Sequence, residues 1–218
     1  MTINNVHSIQ RFDWVLKGLP NGPHIPFDRD LFAYKDVAVT PTVGAMTAGW
    51  LLLIPRKPSC CIANLAEVAR RRTIVVADEV TGAMNVFPGN TVMLEHGARW
   101  SGSATGCGVD QAHVHLVNLK DGFVQGVLTH DANVRWIEVD PSDPWKTLDR
   151  DREYYLVADF RRAFISYSVT GESQYLRRAV ARYLSRPTEW DYLLFPNEPN
   201  ARKTAKLIDA ADRRKSAA

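Results

Sequence analysis

Apolar and polar positions alternate strictly between residues 111 and 117. A strand with that pattern puts Gln111, His113, His115 and Val117 on one face and the small apolar Ala112, Val114 and Leu116 on the other. Residues 50–54 are apolar without a break and fit a buried strand. Residues 31–39 are strand-like, with Phe32 and Tyr34 on one side, and a turn-rich stretch joins the two segments. Between 62 and 80, Ile62, Leu65, Ala66, Ala69, Val76, Ala77 and Val80 recur at spacings of three and four. That spacing predicts a helix, with Arg70, Arg71 and Arg72 on its wet side and Thr81-Gly82 at its end.

Further along, residues 91–94 read as a strand, 123–127 as a weak strand and 134–139 as a better one. Residues 154–158 and 164–168 suggest a hairpin. Leu176, Ala179, Val180, Tyr183 and Leu184 keep one face of a helix that Pro187 stops. On that helix Gln174, Arg177 and Arg178 read as exposed charges or polar groups within reach of a substrate. Asn200 suits the cap of a final helix through Ile208. Residues 1–30 mix Asn, Pro, Gly and His, as an arm lying over a domain would. The organisation expected is an arm over 1–30, a domain over 31–140 and an extension over 141–218 packed on it.

At 218 residues, with 45% hydrophobic and 23% charged, the composition is that of a packed globular chain. Basic residues number 27 against 24 acidic, too even a balance for nucleic-acid binding by bulk charge. Cys60, Cys61 and Cys107 make no disulfide framework and no Cys-x-x-Cys motif. The first residues lack the apolar run of a signal peptide. The run at 50–54 falls far short of the roughly 18 residues of a membrane span. A soluble, cytoplasmic protein is expected, with no membrane and no nucleic acid among its partners.

The chemistry concentrates at His113 and His115. His-x-His on one strand has three readings: polar residues on a wet face, two metal ligands, or a nucleophile beside a group that orients phosphate. Residues 101–106 are small, and Gly106 and Gly108 allow tight turns, so backbone N–H groups there can meet a phosphate. The Gly-Lys-Ser/Thr ending of a P-loop is absent.

Asp110-Gln111-Ala112-His113-Val114-His115-Leu116-Val117 resembles the signature of the histidine triad superfamily, His-φ-His-φ-His-φ-φ with φ apolar. Gln111 takes the first triad position, His113 the middle one and His115 the third. Leu94-Glu95-His96-Gly97 and Gly106-Cys107-Gly108 resemble the approach to the triad. The first position is His in most members; the related galactose-1-phosphate uridylyltransferases carry a Gln, but at the third. The resemblance is specific over residues 91–120, extends back to 31, and fades beyond 150.

That resemblance implies an α+β fold with an antiparallel sheet of about five strands and flanking helices. It implies a hydrolase or nucleotidyltransferase acting on a nucleoside monophosphate derivative through a covalent nucleotidyl-His113. His115 would bond phosphate or leaving group, with Gln111 beside them. Phe32, Tyr34 and Asp36 would contact the nucleoside, Lys57 a polyphosphate, and Cys107 and Gly108 would belong to the donor turn. The expected partner is a nucleotide or nucleotide conjugate, with no metal and no cofactor. A homodimer is expected because the edge of a small sheet needs cover. Gln111 cannot exchange a proton, so a nucleotide-binding protein with little turnover is the alternative. A metal enzyme adding Cys107, His96 or His130 to the pair ranks third.

Overall fold

The computed structural model describes residues 11–103, 105, 109–170 and 172–216, with 212–216 as backbone. Among them, seven strands form one antiparallel sheet: β1 (Val37–Pro41), β2 (Trp50–Pro55), β3 (Asn90–Gly97), β4 (Val114–Leu119), β5 (Ile137–Val139), β6 (Tyr154–Ala158) and β7 (Ala163–Ser166). Their order is β1-β2-β4-β3-β6-β7-β5, so β4 lies between β2 and β3. Register places Leu52 of β2 and Leu94 of β3 on either side of His115. The helices are α1 (Asp13–Leu16), α2 (Glu67–Met84), α3 (Phe123–His130), α4 (Tyr175–Tyr183) and α5 (Glu198–Ser216).

Both faces of the sheet are covered, which explains strands that are apolar nearly throughout. One face carries Leu51, Leu53, Met93, Val114 and Leu116, packed with Val76, Ala77 and Val80 of α2 and Ile208 of α5. The other carries Trp50, Val92, Leu94 and Val117 under Phe123 and Val127 of α3 and Leu176, Ala179 and Val180 of α4. Further along that second face, Ala38, Leu52 and Ile54 are covered by Phe12, Trp14 and Val15. Alternation along β2 therefore carries one row of side chains from beneath α4 to beneath the N-terminal segment.

The fold class matches the expectation, α+β with an antiparallel sheet, but the sheet is larger than about five strands. The predicted hairpin at β6 and β7 pairs with β3, and short β5 extends the edge, so strands on both sides of residue 140 share one sheet. Residues 31–36 are not strand, because Ala33 sits at φ 53°, outside extended backbone. The predicted helix divides into a 3-10 turn, Ile62–Asn64, and α2, which runs past Thr81-Gly82 to bury Ala83 and Met84.

Arg70 is not on a wet side: it is buried, paired with Asp143 and bonded to Leu65 O. Residues 123–127 are helical, since Phe123 and Val127 at a spacing of four meet α4 on one face. Strand structure over 134–139 is confined to β5. Asn200 lies inside α5 and bonds Ala45 O instead of capping the helix. Among the described residues no helix is long and apolar enough to cross a membrane.

Candidate active site

Three imidazoles meet on the second face, and each has its tautomer set by a partner that can play only one hydrogen-bonding role. His113 Nδ1 lies 2.8 Å from Gln111 O. A carbonyl only accepts, so Nδ1 carries the proton and Nε2 keeps its lone pair. Trp50 Nε1 lies 3.0 Å from His115 Nδ1. An indole only donates, so His115 accepts at Nδ1 and presents Nε2–H. The amide of Leu176 donates to His96 Nε2 at 3.0 Å, leaving the proton on Nδ1. The rings of His113 and His115 are 5.2 Å apart between centroids. Two histidines two positions apart thus offer a ligand opposite groups, a lone pair and a proton.

Burial is the leading cause that pushes all three pKa values down: His113 below its ordinary value, His115 well below it and His96 to about 3. The charge of Arg177 pushes each of them in the same direction. The Gln111 carbonyl partly offsets the shift at His113 by stabilising its charged form. The site therefore holds neutral imidazoles at neutral pH.

The cavity at these rings has a volume of about 60 Å³ and is also lined by Arg11, Phe12, Thr42, Leu52, Arg177 and Tyr192. Its cover comes from both ends of the chain. Arg11, paired with buried Asp28, and Phe12, with its ring centroid 5.8 Å from His113, arrive from the N-terminal segment. Arg177 arrives on α4, donating to Gly44 O at 2.6 Å and Trp190 O at 3.1 Å while lying over the Trp50 ring. Phe12 also borders a second space of about 430 Å³, walled by Ser59, Cys60, Ser101, Asp110 and Gln111.

Of the residues read from the sequence, His113 and His115 come together. Gln111 does not share their cavity: regular strand begins only at Val114, and its amide donates at 2.9 Å to both Pro55 O and Lys57 O. It is the backbone carbonyl of Gln111 that touches His113. Phe32 and Tyr34 stack on each other and pack against the core on the opposite face of the sheet. Asp36 pairs with Arg72, and Asp36 and Lys57 line a separate cavity of about 520 Å³. The structure brings none of these four to the histidines. Gly106, Cys107 and Gly108, expected in a donor turn, lie outside the described residues. Among the described residues no three His, Cys, Asp or Glu side chains gather to hold a metal ion.

Arg11, Phe12, Trp50 and Thr42 carry no local signal that sequence reading can use. Arg177 reads in the sequence as an exposed helix charge, yet it is only 3% exposed because the loop after β1 covers that face of α4. Beside the site, Glu95 is buried and accepts from Ile62 N, Trp145 Nε1 and Tyr154 Oη. Burial raises its pKa to about 7 against those three bonds. Glu95 thereby ties β3 to β6 and to the 3-10 turn, fixing the strand that carries His96.

No family model matches the chain, and no curated protein matches it. Among solved structures it is similar to a Hit-like protein involved in cell-cycle regulation from Bartonella henselae. That match has 17% identity and a TM-score of 0.41, over 51% of this chain and 78% of the other.

Proposed function

We propose that this protein is a nucleotide hydrolase or nucleotidyltransferase working through a covalent nucleotidyl-His113. The observation that carries the reading is the tautomer of His113. With Nδ1–H held by Gln111 O, Nε2 offers a lone pair to the cavity and needs no deprotonation to attack. Imidazole suits this task because its unperturbed pKa, near 6.5, leaves the neutral ring abundant at pH 7, and burial here favours the neutral ring further.

In the first step the Nε2–P bond forms as the bond from phosphorus to the leaving group breaks, and the electron pair departs with the leaving group. The positive charge gained by the His113 ring is met by the Gln111 carbonyl. Negative charge on the phosphoryl oxygens is met by Arg177 and by the Nε2–H of His115. In the second step water or an acceptor takes the nucleotidyl group and His113 is restored.

A cavity of about 60 Å³ holds a phosphoryl group, not a nucleoside. The remainder of the substrate extends past Phe12 into the space of about 430 Å³, a size within the range usual for small-molecule sites. Gln111 serves here as a clasp on residues 55–57, and the proton traffic of the reaction does not pass through it. Incubation of the protein with a panel of nucleotides and nucleotide sugars, read by mass spectrometry, tests the reading. A product from at least one substrate, absent with His113→Ala, is the expected result; equal turnover by the two proteins would overturn it.

A further inference from the structure

We infer that Trp50 is a positioning residue that holds His115 as a fixed hydrogen-bond donor with no proton to give away. The inference rests on the nucleotidyl-His113 reading for its consequence, though the tautomer itself does not depend on it. Trp50 sits opposite Val117 and so is the diagonal neighbour of His115 across β2 and β4 on the same face. The two rings meet edge to face at 72°, and the 3.0 Å contact lies within normal hydrogen-bond range. Trp50 is fully buried and His115 nearly so, which keeps the pair apart from bulk solvent. The guanidinium of Arg177 lies 4.9 Å from the indole ring, where a cation draws on the ring's electron density and strengthens the N–H as a donor.

Among the described residues, the charged or titratable groups that act on His115 are His113 and Arg177, then His96. None of them is a carboxylate that would help His115 take a second proton. Transfer of its Nε2 proton to a leaving group would therefore create an imidazolide anion in a buried site. That step is out of reach for a general acid, whose pKa must lie near the working pH. His115 bonds a phosphoryl oxygen and keeps its proton, His113 keeps its Nδ1 proton, and the leaving group departs with its electron pair and unprotonated. The site consequently favours groups that are stable as anions, such as aryl oxides, over alkoxides.

The test reads tautomers and rates separately. In ¹⁵N-histidine-labelled wild type, NMR should show His115 protonated at Nε2 only and His113 at Nδ1 only. Replacing Trp50 by benzothienylalanine, which keeps the bicyclic shape and lacks the N–H, should release His115 into mixed tautomers. Adduct formation from the 4-nitrophenyl ester of AMP should then slow about tenfold, the worth of one oriented hydrogen bond, and the preference for that ester over the ethyl ester should narrow. Trp50→Phe repeats the test with a natural residue. A wild-type His115 protonated at Nδ1 would overturn the inference even if no variant folds. So would an isosteric variant whose tautomer, rate and ester preference are all unchanged. If the wild-type tautomers are as expected but no adduct forms on His113, the proposed function fails while the tautomer lock stands.

Discussion

The proton on each imidazole is decided by a group that has no choice: a carbonyl for His113, an indole for His115, a backbone amide for His96. Such partners hold a tautomer more firmly than a hydroxyl or water, which can reverse roles. At His113 the consequence is an Nε2 lone pair kept available over a wide pH range. Because burial lowers its pKa, the lone pair persists as pH falls through the ordinary value of 6.5. The rate of adduct formation should therefore stay level from pH 8 down through 6.5 and decline only in more acidic solution. A half-maximal rate at 6.5 or above in a stopped-flow pH series would show that the ring is not protected in this way. The His-x-His pair was legible from the residues, but the tautomers of His115 and His96 were not, since Trp50 and Leu176 lie 65 and 80 positions away from them.

Among the elements, α4 and the loop after β1 complete the site together. Gly44 O holds Arg177, its N–H donates to Pro196 O at 2.7 Å, and its backbone takes φ +69°. A Cβ there would stand 2.3 Å from Tyr192 Cβ and 2.8 Å from Tyr192 Cα, so Gly44→Ala has to displace backbone as well as side chain. We expect it to lower turnover at least as much as Arg177→Lys, and to destabilise the fold by ~1–2 kcal/mol from the left-handed backbone alone. Wild-type turnover and an unchanged urea midpoint for Gly44→Ala would contradict that reading.

Local pattern sufficed for β2, the β6–β7 hairpin and α4, whose periodicities are set by their own residues. It failed for α3, where two apolar residues four apart fit a helix or a frayed strand equally well. It also failed at 31–36, where one left-handed residue breaks the extension, and at Arg70 and Arg177, whose outward faces meet other segments of the chain.

For the whole molecule, burying neutral titratable groups links stability to pH. His96, His113 and His115 have folded pKa values below their unfolded ones, so they contribute stability above about pH 6.5 that is lost as the pH falls. Glu95 acts in the opposite sense: its folded pKa, about 7, lies above its ordinary value of 4.5, so its carboxyl destabilises the fold progressively as pH rises through that window. Three groups act against one, so the unfolding free energy should fall as the pH drops below 6.5. Urea titrations from pH 7.5 to 5 check this, with His96→Gln expected to flatten the slope. Stability that holds or rises over that interval would be inconsistent with neutral imidazoles at these three positions.

The central claim is that phosphorus is carried on one atom of one residue, Nε2 of His113. The most direct measurement is rapid quenching of the protein with a nucleotide that it turns over, followed by peptide mapping under alkaline conditions that preserve a phosphoramidate. The account predicts one nucleotidyl group per chain, on the peptide containing His113 and on that residue, formed and lost at rates fast enough for turnover. Turnover with no adduct at His113, or an adduct on His115 or His96 that is kinetically competent, would contradict it.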